Sequence, residues 1–92
     1  MDYKAIATNL NYDLGKTDLV MLTFGNGSVV NKNRTKVYIK PSGIDYKTLT
    51  NDDIAVVSLE SGELIEGLKP SVDLNIHLEI YRNFKNVNSV IH

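Results

Sequence analysis

The spacing of apolar residues changes along the chain, and this change constrains the fold more than any other feature. Apolar residues recur every four positions near the amino terminus and again after Pro70, whereas the middle holds short apolar runs separated by turn residues. A period of four indicates amphipathic helices, and runs of four to eight residues indicate strands. The order of helix, several short strands, helix and a last strand predicts an α/β domain whose helices cover a sheet.

The first helix is predicted over residues 3–14, with Ile6, Leu10 and Leu14 on one face. A helix of this kind often ends on a glycine just beyond its last turn. Gly15 is therefore expected to stop the helix at position C′.

The second helix is expected to begin after Pro70, with Ser71 or Asp73 as its N-cap. Its apolar face is predicted from residues that repeat every four positions and from two that widen the stripe. These residues are Val72, Ile76, Ile80 and Phe84, with Leu78 and Tyr81. The segment KNVN is expected to end this helix.

Six short segments are predicted to be strands. They are residues 18–24, the two arms of VVNKNRTKVYIK, and the segments IAVVSL, LIEG and SVIH. Val37 and Ile39 alternate with polar neighbours, which is the pattern of a half-buried strand. ESGE predicts a hairpin turn between IAVVSL and LIEG, and Thr50 or Asn51 is expected to open a short turn before IAVVSL.

The composition excludes several classes of protein. The chain has 92 residues, a net charge of -1 and no cysteine. It therefore forms one domain at most, without a disulfide framework or a cysteine-based zinc site. The charge gives no electrostatic basis for binding nucleic acid or an anionic membrane, and no apolar run is long enough to cross one. We expect a soluble cytoplasmic protein.

The end of the sequence raises a separate question. A strand that starts near Ser89 has little room to pair before His92, so we expect residues 1–92 to be the N-terminal portion of a larger domain. The alternative is a complete small protein with a frayed end. His92 follows the apolar residues of a strand, and it is either a loose terminal residue or one ligand of a metal site.

Three short loops are candidates for binding an anion: the GNGS loop (residues 25–28), the KPSG loop (residues 40–43) and the KPS loop (residues 69–71). Phosphate needs several converging donors, and glycine lets the backbone come close to it. The KPS loop also opens a helix, where free N–H groups favour an anion. Each loop can equally be an ordinary turn.

Asp73 and His77 each have two interpretations. Asp73 can cap the second helix, or it can act as a carboxylate that moves a proton beside a bound phosphoester. His77 lies one helical turn further along, so the two side chains could form a ligand pair. The favoured interpretation of His77 is a buried structural histidine.

Taken together, these segments resemble the N-terminal part of the class II aldolase/epimerase family. The similarity runs from LTFGNGS through YIKPSGIDYKTLTNDDIAVVSLESGELIEGLKPSVDLNIHLEIYRNF to SVIH, and it covers residues 19–92. Within the family, the L-ribulose-5-phosphate 4-epimerases are the most similar branch. Asp73 stands where the aldolases carry glutamate, and the KPSGIDY segment is complete.

The resemblance implies a fold and an assembly. The fold is a three-layer α/β/α sandwich with a mostly antiparallel central sheet, and the assembly is a homotetramer with active sites between subunits. Members of the family are more than twice as long as this chain. The resemblance therefore implies that residues 1–92 are the N-terminal portion of one such domain, truncated at the first metal-ligand position.

The resemblance also implies roles for individual residues. It assigns binding of the substrate phosphate to Gly25, Asn26, Lys40, Ser42, Gly43 and Ser71. Asp73 falls on an acidic position near the metal, with a catalytic and a metal-binding role, and His92 on the first histidine of a His-x-His zinc pair. Three residues depart from the pattern. Val72 replaces a second serine of the phosphate site, Gly27 replaces a larger apolar residue, and Phe24 replaces a tryptophan.

The implied reaction is the zinc-dependent conversion of L-ribulose 5-phosphate into D-xylulose 5-phosphate, a step of pentose metabolism. In the family, a retro-aldol step breaks the C3–C4 bond, zinc stabilises the resulting negative charge, and the bond re-forms on the other face of the aldehyde. A catalytic zinc needs about three protein ligands, so the chain alone is expected to be inactive. The alternatives are a class II ketose-1-phosphate aldolase and a non-catalytic remnant or interaction module.

Overall fold

The computed structural model describes residues 1–17 and 25–92. The elements are α1 (Tyr3–Gly15), β1 (Gly27–Val30), β2 (Lys36–Ile39), a 3-10 turn (Asn51–Asp53), β3 (Ala55–Ser58), β4 (Leu64–Glu66), α2 (Leu74–Asn83) and β5 (Ser89–Ile91). Both predicted helices and five of the six predicted strands are confirmed, and the strand predicted at residues 18–24 lies outside the described residues. Neither of the two described helices is long and apolar enough to cross a membrane.

The five described strands form one antiparallel sheet in the order β4-β3-β2-β1-β5. The short last strand pairs with β1, and Val90 lies opposite Ser28. Two backbone hydrogen bonds between Asn26 and His92, of 2.8 and 2.9 Å, extend this pairing beyond the strand. The expectation that the end of the chain lacks room to pair is therefore wrong, because an antiparallel ladder needs only a few residues on each side.

The two helices pack on opposite faces of the sheet. Val29 belongs to the apolar cluster that contains Ala7 of α1, whereas Val30 belongs to the cluster that contains Leu78 and Tyr81 of α2. Neighbouring residues of a strand point to opposite faces, so each helix covers its own side of the sheet. The predicted α/β fold class with an antiparallel sheet is confirmed.

The predicted apolar face of α2 is wrong in part. The helix buries His77, Leu78 and Tyr81. Three residues of the predicted stripe are instead exposed: Val72 by 84%, Ile76 by 43% and Phe84 by 57%. A helix turns by about 100° per residue. Residues four positions apart therefore drift by about 40° at each step, which turns Ile76 away from the sheet. Val72 and Phe84 lie outside α2, which is shorter than the predicted stripe.

In the first helix, the predicted apolar face also drifts away from the buried side. The helix ends one residue later than predicted. Ile6 is 37% exposed, whereas its neighbour Ala7 is fully buried. Gly15 is the last residue of α1 and Lys16 is its C-cap, so the prediction of Gly15 as C′ is wrong. A Cβ at Gly15 would lie 2.5 Å from the Cβ of Tyr46. Gly15 therefore allows the end of α1 to lie close to the loop after β2.

Candidate functional site

Backbone hydrogen bonds hold the KPSG and KPS loops side by side. The N–H of Ser42 donates to the carbonyl of Lys69 at 2.9 Å, and the N–H of Ser71 donates to the carbonyl of Lys40 at 3.0 Å. The two prolines between these residues form an isolated antiparallel bridge. The two loops, which are distant in the sequence, are therefore fixed against each other.

All three candidate loops line one cavity of about 250 Å³. Its lining residues are Gly25, Asn26, Lys40, Pro41, Ser42, Gly43, Ser71, Val72 and Asp73. The structure thus brings together the six residues predicted to bind phosphate and places Asp73 beside them. Their role in binding stays a prediction.

Only the first two residues of the GNGS loop lie outside regular secondary structure, because the last two belong to β1. The Asn11 side chain binds both backbone groups of Gly27. The Gly27 N–H donates to Asn11 Oδ1 at 2.7 Å, and Asn11 Nδ2 donates to the Gly27 carbonyl at 2.9 Å. A Cβ at Gly27 would lie 3.0 Å from Cδ2 of Leu10, so the glycine lets α1 approach β1 closely. Of this loop, Gly25 and Asn26 reach the cavity.

Lys40 places a buried cation at the cavity. The residue is 1% exposed, and burial lowers the pKa of its ammonium group. Nζ donates to the carbonyl of Pro41 at 3.3 Å and lies 4.8 Å from the centroid of the Tyr46 ring. The more distant charge of Asp45 partly opposes this lowering of the pKa, but among the described residues no carboxylate lies within ion-pair distance of Nζ. A buried charge without a close counter-ion is costly, and an anion in the cavity would offset this cost.

The donors available to such an anion come mainly from side chains. The backbone N–H groups of Ser42 and Ser71 are bound to carbonyls, and the N–H of Asn26 donates to the carbonyl of His92 at 2.8 Å. The Ser42 hydroxyl makes no hydrogen bond to the described residues. Ser71 Oγ accepts a hydrogen bond of 3.2 Å from the Asp73 N–H, so its own hydrogen remains available.

Val72 and Gly43 leave the cavity open. Val72 is 84% exposed, and its apolar side chain lies at the position where the resemblance places a second serine. A Cβ at Gly43 would meet no atom within 4 Å, but the φ of +75° favours glycine. Val72 therefore lines the cavity without offering it a hydroxyl donor.

Asp73 occupies the N-cap position of α2, but its side chain does not cap the helix. Its Oδ2 instead accepts hydrogen bonds from His92 Nδ1 at 2.8 Å and from Asn26 Nδ2 at 2.7 Å. These two hydrogen bonds, that from His92 first, lower the pKa of Asp73. The capping role predicted for the side chain is wrong, and an ionised carboxylate lies at the cavity instead.

His92 is held through both its backbone and its ring, so it is not a loose terminal residue. Its N–H donates to the Asn26 carbonyl, Nδ1 donates to Asp73, and Nε2 makes no hydrogen bond to the described residues. Histidines that bind zinc commonly donate their other ring N–H to a carboxylate, so this pair fits a metal ligand. Within residues 1–17 and 25–92, no three His, Cys, Asp or Glu side chains are grouped closely enough to hold a metal ion together.

His77 is a buried structural residue, as the sequence favours. It is fully buried, and burial lowers the pKa of its ring to about 4, so the ring is neutral at pH 7. Nδ1 lies 2.6 Å from Ser28 Oγ, and Nε2 bonds to Oδ1 of Asn26. Both ring nitrogens are therefore occupied by protein groups, and His77 does not form a ligand pair with Asp73.

Ser28 and Tyr81 make buried polar contacts that sequence reasoning missed. The sequence predicts Ser28 only as part of the candidate anion-binding GNGS loop and Tyr81 only as part of an apolar face. The Tyr81 hydroxyl lies 2.8 Å from Ser28 Oγ and donates to the Ser28 carbonyl at 3.0 Å. One signal was available, since His77 and Tyr81 are four residues apart and such side chains meet on one side of a helix.

Comparison with known proteins gives consistent matches along nearly the whole chain. Residues 7–92 match the family described as Class II Aldolase and Adducin N-terminal domain. A structure of L-fuculose 1-phosphate aldolase is 33% identical with a TM-score of 0.88, and the match covers 99% of this chain and 43% of that one.

Two further structures extend this result. L-fuculose-1-phosphate aldolase from Thermus thermophilus is 31% identical with a TM-score of 0.78, over 100% of this chain and 46% of that one. YgbL from Escherichia coli, at 24% identity, shares the fold with a TM-score of 0.86, over 97% of this chain and 42% of that one. The chain thus spans less than half the length of each of these structures.

Proposed function

Because the chain belongs to the family of class II aldolase and adducin N-terminal domains, we propose that it forms the phosphate-binding part of an active site. This site acts on a sugar phosphate by breaking a carbon–carbon bond next to a hydroxyl-bearing carbon. The homotetramer and the cytoplasmic location that the resemblance implies stay predictions.

One observation supports phosphate as the ligand of the cavity. Lys40 is a buried cation without a carboxylate partner among the described residues, and the hydroxyls of Ser42 and Ser71 lie along the same cavity. A phosphate group offers several acceptor oxygens and negative charge, and charge-assisted hydrogen bonds to it are the strong ones. The cavity therefore combines the charge and the donors that a phosphoester needs.

We propose that His92 and Asp73 contribute to a zinc site next to the phosphate. Further ligands would come from residues other than those described here. A bound zinc ion supplies Lewis-acid stabilisation of negative charge that develops beside a carbonyl. The ionised Asp73 can take up the proton of a substrate hydroxyl while the neighbouring carbon–carbon bond breaks, and it can return that proton afterwards.

Two reactions share this chemistry, and a different observation favours each. A 4-epimerase acting on L-ribulose 5-phosphate re-forms the bond on the other face of the aldehyde, and Asp73 is the residue that the resemblance associates with that branch. An aldolase acting on a ketose 1-phosphate releases both fragments. The activity named for the structures at 33% and 31% identity favours this second reaction.

Product analysis separates the two reactions. The gene product that carries residues 1–92 would be incubated with L-ribulose 5-phosphate and, separately, with L-fuculose 1-phosphate. An epimerase forms D-xylulose 5-phosphate from the first, whereas an aldolase releases a triose phosphate from the second. Absence of both products would contradict the enzymatic proposal and favour the non-catalytic alternative.

Replacing Lys40 with methionine is expected to weaken the binding of inorganic phosphate by at least about tenfold. The loss of a charge-assisted hydrogen bond costs about 1.5–3 kcal/mol, and about 1.4 kcal/mol corresponds to a factor of ten. Titration of the 15N-labelled chain, followed by the amide signals of Ser42 and Ser71, measures the dissociation constant.

Lys69→Met is the matched control, because it removes the same charge from an exposed residue next to the cavity that does not line it. We expect this variant to bind phosphate nearly as well as the unchanged chain. If both variants lose affinity equally, phosphate binding depends on net charge alone, and the specific role of Lys40 is wrong.

Replacing Val72 with serine is expected to tighten phosphate binding by up to about tenfold, because it restores a hydroxyl donor at the cavity. The same titration measures the effect. Ile76→Ser is a suitable control, since Ile76 is exposed on α2 and does not line the cavity. Equal affinity of Val72→Ser and the unchanged chain would show that residue 72 does not contact the anion.

A further inference from the structure

A continuous line of hydrogen-bonded polar groups runs from Tyr81, on the buried side of α2, to Asp73. The hydroxyl of Tyr81 lies 2.8 Å from Ser28 Oγ, which lies 2.6 Å from Nδ1 of His77. Nε2 of His77 bonds to Oδ1 of Asn26, and Asn26 Nδ2 donates to Asp73 Oδ2 at 2.7 Å. Ser28, His77 and Tyr81 are fully buried, so water cannot replace their partners.

The acceptor at one end of this line fixes the direction of every hydrogen bond in it. An ionised carboxylate only accepts, so the NH₂ group of Asn26 faces Asp73 and the Asn26 carbonyl faces His77. His77 Nε2 then carries the ring hydrogen, which leaves Nδ1 to accept from the hydroxyl of Ser28. Ser28 Oγ then faces the Tyr81 hydroxyl, whose single hydrogen is shared between Ser28 Oγ and the Ser28 carbonyl. Burial lowers the pKa of His77 to about 4, and a neutral ring with one N–H is what this direction requires.

The shape of the Asn26 side chain does not determine which way its amide group is oriented. The amide and its reversed form have nearly the same shape, so packing does not distinguish them and the hydrogen-bond partners decide. In the reversed form, the Asn26 oxygen would face the Asp73 carboxylate, and two acceptors would meet without a hydrogen between them, which is unfavourable. A hydrogen on Nε2 of His77 disfavours the same reversal, because that N–H would then face the NH₂ group of Asn26.

We propose that Ser28, His77 and Tyr81 are positioning residues, which hold the Asn26 amide in the orientation that binds Asp73 and keeps its second N–H for an anion in the cavity. Asn26 and Asp73 both line the cavity. The nitrogen Nδ2 carries two hydrogens, and Asp73 accepts one of them. This role rests on the proposed function, because the second N–H matters for function only if the cavity binds an anion.

The tautomer of His77 is the first readout, and it needs no ligand. Long-range 1H–15N spectra of the chain at pH 7 are expected to show a hydrogen on Nε2 and none on Nδ1. The hydrogen exchange of the Asn26 side-chain amide is expected to be slow, because one N–H is bound to Asp73. A hydrogen on Nδ1 of His77 would overturn the proposal, whatever the result for phosphate binding.

Two variants of His77 test the effect on the cavity. Glutamine can donate to Asn26 and accept from Ser28, whereas leucine fills a similar volume and does neither. His77→Leu is expected to speed exchange of the Asn26 amide and to weaken the binding of inorganic phosphate by about three- to tenfold, the effect of one hydrogen bond. His77→Gln is expected to restore both properties.

If the effect came only from lost packing, His77→Leu and His77→Gln would both speed exchange of the Asn26 amide and weaken phosphate binding. Glutamine would then not restore either property. A folded His77→Leu chain that keeps slow exchange at Asn26 and unchanged phosphate affinity would overturn the positioning role. Tyr81→Phe and Ser28→Ala give the same test if His77→Leu does not fold. An unchanged chain that shows the expected tautomer but does not bind phosphate would contradict the proposed function, and with it the functional part of this inference.

Discussion

Replacing Gly67 with alanine is expected to lower the free energy of unfolding by about 2–5 kcal/mol. Gly67 has a φ of +87°, and a Cβ there would lie 1.9 Å from the carbonyl oxygen of Ile54. This oxygen belongs to the backbone at the start of β3, so it cannot move away without disturbing the pairing of β3 with β4. Urea unfolding of the chain, followed by circular dichroism, measures the loss.

Gly43→Ala is the matched control for this prediction. Gly43 has a similar φ of +75°, but a Cβ there would meet no atom within 4 Å. The control therefore carries the backbone strain without the overlap, and we expect it to lose about 1–2 kcal/mol. Equal losses for the two variants would contradict the close contact between Gly67 and Ile54.

Acid is expected to destabilise the fold through His77, by about 3 kcal/mol as the pH falls from about 7 to about 4. Burial lowers the pKa of His77 from 6.5 to about 4, although the nearby charge of Asp73 opposes this shift and that of His92 adds to it. The unfolded chain binds the proton more readily, so stability that is complete above pH 6.5 is lost as the pH falls towards 4. Each pKa unit corresponds to about 1.4 kcal/mol.

His77→Gln isolates this effect, because it removes the titrating ring and keeps every carboxylate. Urea unfolding at several pH values should show a smaller loss of stability in the variant between pH 7 and 4. Asp73 contributes at lower pH, because its pKa lies below the ordinary 3.8 and its stabilisation is lost only as the pH falls through that lowered value. Equal slopes in the two proteins would rule out His77 as the source, and a direct NMR titration of its ring gives an independent check.

Local patterns were sufficient to predict the existence and order of the described helices and strands. The alternation around Val37 and Ile39 predicts β2, and both side chains are buried as a half-buried strand requires. The turn ESGE lies between β3 and β4, where the pattern places it. These features depend on near neighbours in the sequence, and near neighbours are what periodicity and turn chemistry describe.

The contacts that fix the elements against each other could not be predicted in this way. Arg34 donates to the carbonyls of Tyr81 and Val87, at 2.8 and 2.9 Å, and so ties the β1–β2 hairpin to the end of α2. Its partners lie 47 and 53 residues away. The same limitation explains the error in the α2 face, since the packing of Leu78 and Tyr81 on the sheet decides which side of the helix is buried.

The candidate site combines features that the sequence predicts with features that depend on the folded structure. The composition of the GNGS, KPSG and KPS loops indicates possible anion contacts, but their meeting at one cavity depends on the pairing of Ser42 with Lys69 and of Ser71 with Lys40. The resemblance predicts that Asp73 and His92 lie near a metal, and in the structure His92 Nδ1 lies 2.8 Å from Asp73 Oδ2. It gave no role to the buried side chains that hold Asn26, because their function depends on the direction of hydrogen bonds.

Titration of the 15N-labelled chain with inorganic phosphate tests the central claim most directly, because it maps binding residue by residue. If the three loops form one anion site, the amide signals of Gly25, Ser42 and Ser71 shift together and fit a single dissociation constant. Shifts confined to one loop, shifts spread over exposed lysines, or no saturable shift would contradict the claim that these loops form a shared phosphate site.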